Sequence, residues 1–425
     1  MSIKQNFPEV SPSLLLDFAN SKTLDPTITF TRASVGTYVG RDGLIKTASN
    51  NEPRFDHDPA TLESLGLLIE ESRTNVAESS EDFGNTSFWL ATNQTITTNV
   101  ATAPDGTLTA DNIVPASGSA ATRYLYFNAS AYSMSASASY TTSIFVKKNG
   151  LRYFALQAAD NGSGSGLRAG FDLDNGTVVT SNIFGSASGP SASIVEFPNG
   201  WFRCILTGTS ASGSSTGRTA FSFSSALDPN ASIGAITADG SSGGYVWGHQ
   251  VEAGSFPTSY IPTNGSTVTR AQDTAKITGT NFTDFYNQEE GTLVAHYHST
   301  VDDNYVATFE NTATPGDDRI GLINWGGGQG LVETGNSGQA NLNNGTPTVG
   351  AVNKVAFAFK VNNFAVSLNS ATPVTDTSGT MPTVGRMMIG SRADGQYDIL
   401  KSTIRHLSYY PKRLADAQLQ GLTQQ

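Results

Sequence analysis

Pairs of residues that favour tight turns recur along the whole of this 425-residue chain. Asparagine or aspartate is followed by glycine at positions 42, 105, 149, 161, 175, 199, 239, 264, 344 and 394. Such pairs accept positive φ angles at little cost, which is what hairpin turns between antiparallel strands require. The spacing of these pairs therefore predicts many short strands joined by turns.

Runs rich in apolar residues lie between these turns and predict hairpins. Residues 142–148 and 151–157 predict one pair of strands that turns at 149–150, and residues 171–179 predict another with a type I′ turn. Residues 354–360 and 363–368 predict a third pair. Helix is predicted in two short places, a single turn at 282–286 and a terminal helix at 415–422. This pattern favours β-sandwiches over a parallel sheet with crossover helices.

The charge balance excludes several classes of partner. The chain carries 25 basic and 36 acidic residues, a net charge of −11, and no cluster of lysine and arginine. Binding to nucleic acid by neutralising phosphates is therefore not expected, and neither is attraction to an anionic membrane. No apolar run reaches the length of a membrane span, and residues 1–11 contain no secretory signal. We expect synthesis in a cytoplasm without insertion into a membrane.

The cysteine and tryptophan residues are interpreted mainly as core side chains. Cys204 is the single cysteine, which excludes an intramolecular disulfide, and its apolar surroundings at 200–206 favour a small buried side chain over a nucleophile. Trp89, Trp201 and Trp247 lie in strand-like blocks and are predicted to be buried. Trp325 precedes the glycine-rich stretch 326–330 and is predicted to be partly exposed.

Three blocks of sequence resemble segments of a known family. Residues 53–59 (PRFDHDP) and 65–75 (LGLLIEESRTN) resemble a segment common in bacteriophage tail and fibre proteins, where it precedes a lectin-like β-sandwich. Residues 245–263 resemble the closing edge of that sandwich. Residues 404–414 resemble the last strand of a concanavalin-A-like or laminin-G-like jelly roll. The resemblance implies an all-β protein with two β-sandwich domains of this type, preceded by a strand-containing N-terminal segment.

These blocks predict the order of domains. Residues 1–75 form the N-terminal strand segment, which is expected to dock onto one of the sandwiches or onto a partner that anchors the protein to the virion. Residues 76–263 form a first, carbohydrate-binding-like β-sandwich, and residues 275–425 a C-terminal laminin-G-like or concanavalin-A-like one. Deletion of residues 1–60 is expected to leave both sandwiches folded and to abolish incorporation into particles. The sequence TFTRA at 29–33 is echoed as TVTRA at 267–271, which predicts two strands in comparable positions.

The loops of the C-terminal sandwich carry the predicted ligand site. A mixture of aromatic faces and amide groups suits sugar recognition, and four residues supply it there: Trp325, Asn324, Tyr305 and Asn304. Four carboxylates would suit calcium, which takes oxygen ligands from loops: Asp302, Asp303, Asp317 and Asp318. Solvated loop charges are the competing interpretation of these acids. No other cofactor is expected.

No catalytic residue is predicted. The Glu-x-Asp-x-x-Glu arrangement of sandwich glycosidases is absent, and so are the common phosphate-binding, dinucleotide-binding and nucleophile motifs. His296 and His298 would share one face of a strand and could contribute to a metal site, although a polar sheet face is the favoured interpretation. The chain is therefore expected not to be an enzyme.

The expected function is that of a structural virion protein of a tailed bacteriophage, in the tail or a fibre, with a lectin-like role in host recognition. Expected partners are other virion proteins, further copies of the chain, with a trimer favoured, and a bacterial surface glycan. Localisation in the virion follows synthesis in the host cytoplasm. Two alternatives stay open: a capsid decoration or fibre protein, and a glycan depolymerase with carboxylates in a non-standard arrangement.

Overall fold

The protein is built almost entirely of antiparallel β-strands, as predicted. The computed structural model describes residues 8–118, 123–127, 132–160, 164–213, 216–226, 238–298, 304–325, 328–393 and 399–424, with the backbone alone at 304, 325 and 328. Its α-helices are short: α1 (Phe18–Ser21), α2 (Thr280–Thr283) and α3 (Asp416–Leu422), and a 3-10 turn covers Pro198–Gly200. The second and third α-helices confirm the two predicted helical places. No helix in the described ranges is long and apolar enough to cross a membrane.

Two facing sheets form the first sandwich. The six-stranded sheet contains, from edge to edge, β17 (Ser188–Phe197), β18 (Trp201–Thr209), β13 (Ser139–Asn149), β20 (Gly243–Ala253), β10 (Ala110–Pro115) and β9 (Gln94–Ala101). The seven-stranded sheet contains β16 (Thr177–Phe184), β15 (Gly166–Asp172), β14 (Tyr153–Asp160), β19 (Thr216–Ser224), β11 (Tyr124–Phe127) and β8 (Trp89–Thr92), with β12 (Tyr132–Ser133) beside β19. A single apolar core fills the space between them.

The second sandwich is built in the same way. One sheet contains β30 (Val374–Asp376), β29 (Phe364–Leu368), β28 (Val352–Lys360), β23 (Glu290–His298), β32 (Ser402–Tyr410), β6 (Ser64–Ile69) and β5 (Phe55–His57), with β1 (Leu14–Asp17) beside β32. The other contains β2 (Thr29–Thr31), β22 (Thr274–Thr278), β31 (Arg386–Ile389), β24 (Asn304–Glu310), β25 (Arg319–Trp325), β26 (Gly328–Thr334) and β27 (Ser337–Asn343). Two small two-stranded sheets pair β3 (Gly36–Val39) with β4 (Ile45–Ala48), and β7 (Arg73–Asn75) with β21 (Val268–Arg270).

The N-terminal strands are divided between the two sandwiches. Strands β1, β2, β5 and β6 are hydrogen-bonded members of the C-terminal sheets, and Leu14, Leu16 and Phe18 are buried in that core. Strand β4 instead turns Ile45 onto an apolar cluster of the six-stranded sheet that includes Phe145. The boundaries at 75, 263 and 275 remain predictions. The first 75 residues nevertheless contribute strands to the C-terminal sandwich, where Leu14 lies opposite Tyr409, 395 positions later in the chain.

The predicted hairpins have different outcomes. Strands β28 and β29 form the expected antiparallel pair. Strands β15 and β16 also pair, but only Gly176 of the central dipeptide has a positive φ, so the turn is not of type I′. The predicted pair across 149–150 is wrong, because β13 and β14 lie in opposite sheets of the first sandwich. The chain crosses there between sheets and buries Leu151 in the core, which the local turn residues do not reveal.

The core predictions for the cysteine and three tryptophans are confirmed. Trp89, Trp201 and Trp247 are each about 1% exposed, and Cys204 is fully buried. Burial raises the pKa of the Cys204 thiol well above its ordinary value, so the thiolate needed for nucleophilic chemistry is disfavoured.

Candidate functional site

The first family-like block contributes Arg54 and Glu70 to a buried cluster of charges between the sandwiches. Arg54 precedes β5, Glu70 follows β6, and Asp273 precedes β22. Nη1 of Arg54 lies 2.7 Å from Oε2 of Glu70, and its Nη2 lies 2.5 Å from Oδ2 of Asp273. The backbone holds the same arrangement, because the Asp273 amide donates to the Glu70 carbonyl oxygen at 2.9 Å. We call this set, with Arg32 and Arg270, the junction cluster.

The echoed TFTRA and TVTRA sequences supply the two other arginines of the junction cluster. Nη1 of Arg32, just after β2, lies 3.1 Å from Oδ1 of Asp273. Arg270, at the end of β21, places Nε 3.5 Å from Oε2 of Glu70 and donates from Nη2 to the Glu71 carbonyl oxygen at 2.7 Å. The comparable position of the two strands remains a prediction. The arginines of the two echoed sequences do contact the same cluster, and they reach it from different strands.

The electrostatics of the junction cluster keep the Glu70 carboxylate ionised. Burial by itself opposes ionisation of Glu70, but the charges of Arg270 and Arg54 and hydrogen bonds from Ser259 outweigh it and lower the pKa to about 2. The Ser259 amide and hydroxyl both donate to Glu70, each at 2.7 Å. Every carboxylate oxygen of Glu70 is therefore engaged within the protein, and the cluster serves as a structural junction.

A cavity of about 370 Å³ lies beside the junction cluster. Its walls come from the β3–β4 hairpin, the outer face of the six-stranded sheet, the loop 257–260 and the start of β32. Tyr38, Asp56, Arg203, His298 and Thr403 are among the residues that line it. This volume falls in the range of small-ligand pockets, and the walls combine aromatic, charged and hydroxyl groups. We refer to it as the junction cavity.

Arg203 is the distinctive cation of the junction cavity. Its Nε and Nη2 lie 3.3 and 3.0 Å from the Ser143 hydroxyl, and its guanidinium lies 5.4 Å from the centre of the Phe145 ring. Among the described residues, no carboxylate oxygen lies within 4.0 Å of its nitrogens. Burial lowers the pKa of Arg203, opposed by the more distant charges of Glu252 and Glu70. A cation placed this way is incompletely compensated by the protein and is suited to an anionic group.

Asp56 offers a second titratable group to the junction cavity. Its Oδ1 accepts the Val39 amide at 2.7 Å. Burial raises the pKa of Asp56 to about 7, against the effect of that hydrogen bond, and the nearby Glu70 charge raises it further while Arg54 lowers it. The carboxyl is therefore divided between its neutral and charged forms near neutral pH, and it can donate or accept a hydrogen bond.

The raised pKa of Asp56 predicts a pH dependence of stability. Above its ordinary pKa of 3.8 the unfolded chain releases the proton, whereas the folded protein keeps it up to about pH 7. The folded state then binds more protons, so this group's contribution to the free energy of unfolding falls as pH rises through that window and is constant above it. The variant Asp56→Asn lacks this slope, so its stability relative to wild type should increase from pH 4 to 7.

Denaturant titrations of both proteins at several pH values measure that difference, in which the contributions of all other groups cancel. Asp284→Asn removes an exposed carboxylate and controls for the loss of charge. A difference between Asp56→Asn and wild type that is the same at pH 4.5 and pH 7 would show that Asp56 titrates normally.

The structure places the predicted sugar-binding residues at one end of the β24–β25 hairpin. Asn304 lies opposite Asn324, and Tyr305 opposite Ile323. Tyr305 and Asn324 are only 3% and 2% exposed, and the guanidiniums of Arg319 and Arg392 lie 5.6 and 5.5 Å from the Tyr305 ring centre. This burial argues against the predicted sugar contact for these two residues. The side chains of Asn304 and Trp325 lie outside the described part of the chain, so their roles remain predictions.

Of the four predicted calcium ligands, Asp317 and Asp318 lie among the described residues. Asp302 and Asp303 lie outside the described residues. Asp317 and Asp318 lie in the loop at the opposite end of the hairpin from Asn304, a separation of about 20 Å along six residues of strand. Asp318 instead accepts the Gly335 amide at 2.8 Å and the Thr314 hydroxyl at 3.1 Å, which organises that loop. No group of three or more metal-binding side chains occurs in the described ranges.

His296 and His298 of β23 contact different neighbours. The His296 ring lies 4.9 Å from that of His406, and burial lowers the pKa of His296 to about 4. His298 lies 3.1 Å from the Thr403 hydroxyl at the wall of the junction cavity. These contacts favour the interpretation of the pair as polar sheet residues.

Sequence reasoning missed Arg203 and Asp273. Arg203 lies in the run WFRCIL, where a charged residue interrupts apolar neighbours, and that interruption was the available signal. Asp273 lies outside the three family-like blocks, and nothing local connects it to Arg32, which is 241 residues away.

Solved structures similar to this chain include proteins that act on glycans. Domain 4 of a GH43 extracellular arabinanase from Geobacillus stearothermophilus is 14% identical, with 40% of this chain and 84% of that chain covered and a TM-score of 0.29. The CBM22 and GH10 modules of a Clostridium thermocellum xylanase are 13% identical over 45% and 30%, with a TM-score of 0.26. A Trypanosoma rangeli sialidase is 12% identical over 74% and 60%, with a TM-score of 0.26. No protein-family profile and no curated protein matches the sequence.

The prediction that the chain is not an enzyme is contradicted by this set. The arabinanase, the xylanase and the sialidase are enzymes by name. The prediction rested on the absence of several sequence motifs, and the carboxylate motif among them does not exhaust the ways in which a β-sandwich protein can place two acids. We therefore withdraw it.

Proposed function

We propose that this protein binds glycans and that the junction cavity receives a sugar unit carrying a carboxylate. The observation that carries the proposal is the position of Arg203, a cation that faces the cavity with no carboxylate of the described residues in contact. The planar fork of a guanidinium matches a carboxylate with two parallel hydrogen bonds.

The remaining walls of the junction cavity suit the rest of a sugar ring. Tyr38 supplies an aromatic side chain, and Thr258 and Thr403 supply hydroxyls beside the backbone of the loop 257–260. Asp56, when protonated, donates a hydrogen bond to a sugar hydroxyl or carboxylate, and when ionised it accepts one. Sugar recognition uses this combination of a ring face and directional polar groups.

The sequence resemblance supports a location in the virion of a tailed bacteriophage, in the tail or a fibre. In that setting, binding of a bacterial surface glycan would serve host recognition. Labelling of intact particles with an antibody against the chain tests the location, and labels confined to the capsid would favour the decoration-protein alternative.

Replacement of Arg203 by methionine should remove ligand binding without unfolding the protein. Titration calorimetry with glucuronate, galacturonate and glucose should show binding of an acidic sugar that weakens about tenfold or more in Arg203→Met, since a charge-assisted hydrogen bond is worth about 1.5–3 kcal/mol. The free energy of unfolding should be unchanged or higher, because the substitution removes an incompletely paired charge.

Two controls define the result. Arg203→Lys keeps the charge and should lose less affinity than Arg203→Met. Arg405→Gln removes an arginine that is paired with Glu63 in the C-terminal sandwich, and its binding should equal that of wild type. Binding of glucose as tight as binding of the uronates, or an unaffected Arg203→Met, would contradict the proposal.

Glycan cleavage is the second candidate function, and one observation favours it. Asp56 and Asp58 both line the junction cavity, and the raised pKa of Asp56 leaves a carboxyl that can donate a proton near neutral pH. A proton-donating carboxyl near a second carboxylate is the minimum that glycoside hydrolysis requires. A reducing-end assay on bacterial polysaccharides incubated with wild type and Asp56→Asn separates cleavage from binding alone.

A further inference from the structure

The outer face of the seven-stranded sheet in the first sandwich carries a row of aromatic and polar side chains. The inner face of this sheet packs Leu125, Phe154 and Phe221 into the core. On the opposite face, Tyr124 and Tyr126 pack against Ala155 and Ala220, with their ring centres 5.4 Å apart. The tyrosines cover these two alanines, which are 9% and 3% exposed, and form one end of the row.

The register of the strands extends this row across the sheet. Tyr126 and Gln157 both lie opposite Ala220, Gln157 lies opposite Arg168, and Arg168 lies opposite Asn182. The row therefore crosses β11, β19, β14, β15 and β16, a distance of about 19 Å at the usual spacing between strands. Its members are held in place, since Arg168 donates to the Gln157 side-chain oxygen at 3.1 Å and lies 4.2 Å from the Phe184 ring centre.

Arg218 gives this face a positive charge. It lies 5.8 Å from the Tyr126 ring centre, and its Nε is buried without a hydrogen-bond partner. Among the described residues, no carboxylate oxygen lies within 4.0 Å of its nitrogens. The chain as a whole has a net charge of −11, so the charge of a face with Arg168 and Arg218 is opposite in sign to that of the whole chain.

We propose that this face binds an extended acidic polysaccharide, with Tyr124 and Tyr126 as the stacking surface and Arg218 as the contact for a carboxylate. The length of the row suits a chain of several sugar units rather than a single one. Aromatic rings stack on the apolar faces of sugars, while Asn182 and the arginines supply hydrogen bonds to hydroxyl and carboxylate groups. The site is separate from the junction cavity and does not depend on it.

Electrophoresis of the full-length protein through gels containing alginate, a polyuronate, or dextran, a neutral polymer, tests this proposal. Wild type should be retarded by alginate and much less by dextran, and its retardation should weaken as salt is added, because exposed charges are screened. Arg218→Gln should weaken the affinity for alginate about tenfold, the usual effect of losing one charge-assisted hydrogen bond. Tyr126→Ala should also weaken it through the loss of the stacking surface.

Matched variants separate this site from other causes. Arg41→Gln removes one exposed arginine of the β3–β4 turn, with the same change in net charge, and should be retarded like wild type. Comparison with Arg203→Met distinguishes the two sites: loss of alginate retardation in Arg203→Met but not in Arg218→Gln would place the polymer in the junction cavity and overturn this proposal. Equal retardation of wild type by dextran and alginate, or of Arg218→Gln and wild type by alginate, would overturn the proposal.

Discussion

Removal of residues 1–60 is expected to unfold the C-terminal sandwich. The deleted segment supplies five core side chains of that sandwich: Leu14, Leu16, Phe18, Ile28 and Phe30. At about 1.5–3 kcal/mol for each buried side chain, their loss amounts to about 7–15 kcal/mol, which equals the whole stability of a typical domain. Strands β1, β2 and β5, and Arg54 of the junction cluster, are lost as well.

Limited proteolysis and near-ultraviolet circular dichroism of residues 61–425 measure this effect. Fragments from the C-terminal half should be cleaved rapidly, whereas a chain that lacks only residues 1–10 should resist like the full-length protein. This outcome would replace the sequence-based expectation that the same deletion leaves both sandwiches folded and removes only an anchor. A truncated chain with an unchanged unfolding transition would restore the anchor hypothesis.

The substitution Asp273→Asn is expected to cost about 3–5 kcal/mol of the free energy of unfolding, the usual result of removing one partner from a buried ion pair. Asp273 is fully buried and accepts from Arg32, Arg54 and the Glu70 amide, at 3.1, 2.5 and 2.9 Å. Without its charge, three buried arginines share a single carboxylate, that of Glu70. An asparagine side chain also turns two N–H donors toward groups that are themselves donors.

Denaturant titration of Asp273→Asn gives the loss of stability directly. Asp42→Asn is the matched control, because Asp42 forms an exposed pair with Lys46 at 2.8 Å, and such pairs contribute at most about 1 kcal/mol. If the two substitutions lowered the free energy of unfolding by similar amounts, the junction cluster would contribute no more to stability than an exposed ion pair.

The all-β architecture and much of the core could be predicted from the sequence because their signals are local. Turn-forming pairs fix where strands end, and apolar runs such as 354–360 and 363–368 are adjacent in the chain, so their pairing needs only a short loop. Burial of Trp89, Trp201 and Trp247 follows from their apolar surroundings. The hairpin that was wrongly predicted at 149–150 has the same local signals. There, however, β13 pairs with β18 and β14 pairs with β19, so the two strands lie in different sheets.

The candidate site was decided by tertiary structure alone. Arg203 faces a cavity whose other walls include residues from 37–58, 257–260 and 401–403, and Asp273 meets Arg32 and Arg54 across separations of more than 200 residues. The sequence shows that these charged residues are present, but it does not show which distant strand ends come together in the fold. The surroundings then decide what each buried aspartate does. The Asp56 carboxyl has a pKa of about 7, whereas the Asp273 carboxyl is ion-paired with Arg54. Desolvation and charge depend on neighbours in space, and those neighbours are determined only when the two sandwiches and the N-terminal strands close around one junction.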